Sequence, residues 1–161
     1  MNTIRIATIL ASVLLPALAP SLSSAGDPKP FEVEFDKCAS AIVNPGYLVT
    51  FAGTASGGVQ GTVQARILVN TPGIEPNQTH IQADYVLTGT LPFTARVGGR
   101  VNNSDNLAVL RGYVSEGPAW LIGAGVRDEF LNYTKADGTR CSKGILYVRP
   151  RWKQTHGDDN D

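Results

Sequence analysis

The sequence predicts an all-β fold: an eight-stranded antiparallel barrel closed by one disulfide, with a two-sheet β-sandwich as the alternative. Three observations carry this expectation. Beyond residue 26 the chain shows almost no helical periodicity and falls into short runs rich in Val, Ile, Thr, Tyr and Phe. Such residues suit a pleated, half-buried surface, and several runs alternate apolar and polar positions with period two. The runs are separated by short clusters of Gly, Pro, Asn and Asp, which turn the chain and force neighbouring strands to run antiparallel. Two cysteines, Cys38 and Cys141, fall in the first and last runs. A disulfide between them needs close Cα atoms, so the first strand must lie beside or opposite the last. Closure also removes the exposed edges that an eight-stranded sheet would otherwise carry.

The elements follow in order. Phe31 to Asp36 places Phe31, Val33 and Phe35 on one face and acids on the other. Pro45-Gly46 turns into a run from Tyr47 to Ala55, and Ser56-Gly57-Gly58 turns again. Gly61 to Asn70 aligns Val63, Ala65, Ile67 and Val69, and Pro72 to Asn77 is a loop. His80 to Gly89 sets Ile81, Ala83, Tyr85 and Leu87 against His80, Gln82 and Asp84, and a tight connection through Thr90 leads into Phe93 to Val101. The Asn- and Asp-rich stretch 102–106 is a strong turn, because these residues tolerate left-handed geometry. Leu107 to Ser115 is the next strand, and Glu116-Gly117-Pro118 turns into a long run from Ala119 to Tyr133. Asp137-Gly138 is a favoured hairpin pair ahead of the last strand, Cys141 to Arg149. Gly98, Gly99, Gly112, Gly123, Gly125 and Gly144 interrupt these strands, as expected where a coiled sheet bends or two backbones approach closely.

Residues 1–25 read as a secretory signal peptide. A short start carrying Arg5 precedes an apolar stretch from Ile6 to Ala19, and Ser23-Ser24-Ala25 offers a small-x-small cleavage site. The apolar stretch is too short and broken for a membrane span, which needs about 20 residues. Residues 26–150 form the barrel domain, and 151–161 are a polar tail expected to be disordered. The expected location is therefore secreted or periplasmic, where a disulfide is the default state of a cysteine pair.

Composition excludes several function classes. The whole chain has 14 basic and 14 acidic residues. Removal of Arg5 with the leader changes this balance little, so there is no electrostatic footprint for nucleic acid or an anionic membrane surface. Two cysteines this far apart lack zinc-site spacing, and His80 and His156 form no cluster with them, so no metal is expected. No nucleophile elbow, phosphate loop or dinucleotide fingerprint stands in a strand–helix setting, so no cofactor and no particular reaction are implied.

Candidate site residues come from the polar groups inside strands. Arg66, Arg96, Arg100, Arg111 and Arg127 all fall there, with Asp128 and Glu129 beside Arg127. In a lumen they would grip a carboxylate or phosphate on an otherwise apolar ligand. On the outer wall they would be cross-strand salt bridges, the commoner outcome. Of these, Arg66, Arg96, Arg127 and Glu129, with Tyr85, are the candidate ligand-binding set. His80, Gln82 and Asp84 share a strand face, but His80 and Asp84 stand about 13 Å apart along an extended strand and cannot pair, so a solvated outer face is expected. Tyr85, Phe93, Tyr113, Trp120 and Phe130 either line a cavity or fill the core. Asn77, Asn102 and Asn132 head N-glycosylation patterns, which matter only in a eukaryotic secretory pathway.

The stretches Phe93-Thr-Ala-Arg-Val-Gly-Gly-Arg-Val-Asn-Asn103, Leu107-Ala-Val-Leu-Arg-Gly-Tyr-Val114 and Leu121-Ile-Gly-Ala-Gly-Val-Arg-Asp-Glu129 resemble the allene oxide cyclase/dirigent-type (calycin-like) barrels of secreted proteins. Phe51 to Thr62 is similar to the Gly-Thr repeats that open such barrels, and Cys141 to Val148 resembles their closing strand. The resemblance spans roughly the whole exported domain and rests on strands and turns. It implies an eight-stranded barrel with an apolar lumen and no single activity, since the family holds cyclases, stereochemistry-directing proteins and members without an assigned role. Three functions stand open: a barrel that binds a small, mostly apolar molecule in its lumen or mouth, a cyclase-type isomerase, or a structural or inhibitory protein-binding barrel. Neither the ligand nor the oligomeric state is legible.

Overall fold

A computed structural model describes residues 28–151. The expected signal peptide, residues 1–25, and nearly all of the expected polar tail lie outside the described residues. Eight strands run in order: β1 (Phe31–Ser40), β2 (Val49–Gly57), β3 (Gly61–Pro72), β4 (Gln78–Gly89), β5 (Phe93–Asn102), β6 (Leu107–Glu116), β7 (Gly125–Thr134) and β8 (Arg140–Arg149). Each pairs antiparallel with its neighbours in sequence, and β1 pairs with β8, closing the barrel. Cys38 lies directly opposite Cys141 in that seam and is disulfide-bonded to it. The barrel therefore replaces the sandwich alternative, and the disulfide is consistent with an oxidising, extracellular location. No helix of the described residues is long and apolar enough to cross a membrane.

Period-two alternation sets what is inside. Val33 and Phe35 of β1, Val63 and Ala65 of β3, Tyr85 and Leu87 of β4, and Val126 and Phe130 of β7 point inward and are buried. The intervening positions carry mostly acids, arginines, threonines and glutamines, with Leu107, Val109 and Tyr113 of β6 as exposed apolar exceptions. This pattern is the reverse of a lipid-facing barrel, whose outer band is apolar.

The two ends of the barrel differ. At the end holding the β2–β3, β4–β5 and β6–β7 connections, core side chains fill the interior. Val59 and Leu121, from two of those connections, are fully buried and plug it. The expected strand from Ala119 begins only at Gly125. Residues 118–124 form a hydrogen-bonded turn instead, with Leu121 and Ile122 N–H groups donating to the Pro118 carbonyl and Gly123 at φ 80°. Proline followed by a left-handed glycine breaks strand geometry, and the turn is what delivers Leu121 into the barrel.

Close packing of strongly coiled strands explains two of the glycines. A Cβ on Gly112 would stand 1.8 Å from the Arg96 carbonyl oxygen, and one on Gly144 would stand 2.1 Å from that of Glu129. Register also slips by one residue between Ile67 and Val69 on β3 and between Thr94 and Ala95 on β5, at bulges that tighten the local twist.

Candidate functional site

The opposite end of the barrel is open. Between the inner faces of the strands lies a cavity of about 420 Å³, within the size range of small-molecule sites. Its walls include Val49, Phe51, Ile67, Ile81 and Val101, and its rim carries Asn70, Asn103, Asn106, Asn132 and Arg140. No carboxylate is among the described residues that line it.

Lys37 lies among the deepest lining residues. On β1 it follows Phe35 by two positions, so the same alternation that buries Val33 and Phe35 turns the lysine inward. It is 2% exposed. Its Nζ stands 3.7 Å from the centroid of Phe35, 4.7 Å from that of Tyr85 and 4.8 Å from that of Phe130. These rings offer the ammonium their negative faces. Across the seam Lys37 is in register with Ser142, which is also buried and lines the cavity. Asp128 of β7, between Val126 and Phe130 on the inward face, is fully buried. Among the described residues, neither Lys37 Nζ nor either Asp128 oxygen has a hydrogen-bond partner, and the two groups form no direct ion pair.

Burial dominates the electrostatics of this layer. Desolvation pulls Lys37 from 10.5 down to about 7, opposed by the negative charges of Asp128 and Asp36. Desolvation pushes Asp128 from 3.8 up to about 6, opposed by Lys37 and the Tyr85 hydroxyl. The Tyr85 phenol is driven well above its ordinary value by burial and by Asp128. Near neutral pH the amine and the carboxyl each stand close to their point of ionisation. A buried, unpartnered amine that lines a cavity, with a buried acid behind the cavity wall in the same layer, has the physical signature of a functional layer.

Of the candidate ligand-binding set Arg66, Tyr85, Arg96, Arg127 and Glu129, only Tyr85 lines the lumen. Arg96 lies on the outer wall, where its Nε and a terminal nitrogen donate to Asp84 at 2.8 and 2.9 Å. The Tyr47 hydroxyl donates to the same carboxylate at 2.8 Å. The Arg96 guanidinium holds Asp84 below the usual carboxylate range, against the opposing pull of burial. Arg66 donates to the Gln64 side chain at 3.2 and 3.1 Å and lies 5.9 Å from the Tyr47 ring centroid. Together these contacts clamp the β1–β2 connection against the outside of the barrel. Arg127 pairs with Glu129 on the outer wall. His80 and Gln82 share the outer face, as expected, but Asp84 is 4% exposed and covered by Tyr47 rather than solvated. Phe93 is a core residue and Phe130 is both core and cavity wall, whereas Tyr113 and Trp120 remain about half exposed outside. Asn77, Asn102 and Asn132 all fall at the open end. Among the described residues, no group of His, Cys, Asp and Glu is arranged to hold a metal ion.

Lys37 and Ser142 are lumen groups that the reading of the sequence passed over, and Asp128 was noted there only as a neighbour of Arg127. The signal was the alternation itself: a lysine two positions after Phe35, and an aspartate between Val126 and Phe130. Comparison with protein-family models and with curated proteins finds no match to this chain.

Proposed function

We propose that this protein is an exported barrel that binds one small, mostly apolar molecule in its lumen, with the molecule's polar head turned inward to Lys37. The observation that carries this reading is the open cavity of about 420 Å³ ending on a buried lysine without a hydrogen-bond partner. The apolar walls supply affinity by burying ligand surface. A single acceptor on the ligand would satisfy Lys37, whose isolation in the free protein costs free energy. The asparagine-lined rim suits a wet, polar mouth. The resemblance to secreted allene oxide cyclase/dirigent-type barrels points the same way, as does the disulfide expected of a secreted or periplasmic protein.

A cyclase-type isomerisation is the second reading, favoured by the presence of an acid, an amine and a phenol in one lumen layer. It requires turnover as well as binding, with the walls orienting a reactive chain. The open interior weighs against a purely structural barrel.

The test is fluorescence titration with N-phenyl-1-naphthylamine, a neutral apolar probe, followed by displacement with nonanol. One saturable site is expected, lost in Ile81→Trp, whose added ring enters the cavity. Probe binding that is unaltered in Ile81→Trp would remove the lumen as the site.

A further inference from the structure

We propose that Lys37 is a nucleophile that captures an apolar aldehyde as an imine at the floor of the cavity. This rests on the lumen-binding reading above and names the head group of its ligand. Geometry carries it first. Lys37 is 2% exposed, lines the cavity and has no hydrogen-bond acceptor, so its nitrogen is not already committed to a partner. The three rings around it hold the side chain in place and exclude water. With Cys38 and Cys141 in a disulfide, no free thiol competes for a carbonyl among the described residues. Burial also favours the uncharged amine, the form that attacks a carbonyl carbon. A carboxylate ligand would instead need a charged Lys37 and would bring its own charge into the same desolvated layer.

The step balances as follows. The nitrogen lone pair forms a bond to the carbonyl carbon while the carbonyl oxygen takes up a proton. The C–O bond then breaks, the oxygen leaves as water carrying both hydrogens lost from the nitrogen, and C=N remains. No oxidant or reductant is consumed. The proton comes from and returns to solvent at the open end; Asp128, buried in the same layer and felt electrostatically by Lys37, promotes the step by favouring the positive charge that develops on the attacking nitrogen. The titratable groups packed in this layer are Asp128 from β7 and Tyr85 from β4, while Asp36, next to Lys37 on its own strand, points to the outer wall and acts only through its charge. The apolar chain of the bound aldehyde, filling the cavity above Lys37, then keeps water from the imine.

The experiment is native mass spectrometry of the full exported protein incubated with nonanal at neutral pH. A one-to-one adduct lighter than protein plus aldehyde by one water is expected. Reduction with cyanoborohydride and peptide mapping should put the nonyl group on Lys37 ahead of the exposed Lys29, Lys135 and Lys143. Asp128→Asn should slow that adduct by roughly 100-fold while leaving labelling of the exposed lysines unchanged. Labelling confined to exposed lysines, with nonanol still displacing the naphthylamine probe, overturns the imine and leaves the cavity reading standing. The same labelling with no displacement by nonanol overturns both. The wild-type map decides the matter even if a variant fails to fold.

Discussion

Replacing Lys37 and Asp128 together, as Lys37→Met with Asp128→Leu, removes the only ionisable groups other than Tyr85 in the buried lumen layer among the described residues and should reshape stability against pH. Lys37 titrates at about 7 in the folded protein and 10.5 unfolded. Stability therefore rises as pH climbs from 7 to 10.5, by about 5 kcal/mol at most. Asp128 titrates at about 6 folded and 3.8 unfolded. Its contribution is fully present below pH 3.8 and is lost as pH rises through 6, by about 3 kcal/mol. The two effects meet in a stability minimum between pH 6 and 7. Asp84, held low by Arg96, loses its contribution only as pH falls below 3.8, and Tyr85, held high, only as pH rises above 10. The window between about pH 4 and 9.5 therefore reports chiefly on the lumen pair. Thermal unfolding across that window should show a trough near neutrality, each kcal/mol moving Tm by roughly 3–6 °C in a domain of this size. The double variant should flatten the trough and exceed the wild type at pH 6.5 by about 1–4 kcal/mol, because well-packed apolar groups outperform a buried pair without hydrogen bonds. Lys37→Met alone should do the opposite, since it leaves Asp128 with no nearby lumen cation to offset its burial. A wild-type stability maximum at pH 6–7, together with a double variant less stable than wild type there, would refute the reasoning.

Three further outcomes follow from the same structure. Reducing the Cys38–Cys141 bridge, which spans 103 positions, should lower stability by about 4.7 kcal/mol at most, read as the shift in urea midpoint between oxidised and reduced protein. Gly112→Ala should cost more than 3 kcal/mol in urea unfolding or abolish folding, because its methyl collides with the Arg96 carbonyl, whereas Gly125→Ala meets nothing within 4 Å and should change stability by less than about 0.5 kcal/mol. Arg127→Ala, on the outer wall with Glu129, should leave naphthylamine affinity unchanged within about twofold, since exposed pairs contribute little and the lumen is untouched.

The strand order was legible because each strand carries its own period-two pattern and nearly every connection carries turn chemistry of known type. Closure was favoured over a sandwich by Cys38 and Cys141, which bring the first strand beside or opposite the last, together with the exposed edges that closure removes. The interior was harder to read for a physical reason. Arginines drew attention by their number, yet Arg66 and Arg96 alternate with Ala65, Ile67, Ala95 and Val97, which claim the lumen. The same arithmetic, carried one step past Phe35, turns Lys37 inward; β1 runs on to Ser40 by pairing with β2, and β8 pairs with it as far as Cys38. The β1–β2 connection, clamped through Tyr47 and Asp84, was not legible, because it depends on three residues far apart in sequence. Nor was the plug at Leu121, because an apolar run leaving a Gly-Pro turn reads as strand until Gly123 adopts its left-handed conformation.

The most direct test of the account is native mass spectrometry of wild type and Ile81→Trp side by side, each incubated with nonanol. A one-to-one adduct on the wild type alone is the predicted result. Equal adducts on both proteins, or none on either while the naphthylamine probe also fails to bind, would contradict a ligand-binding lumen.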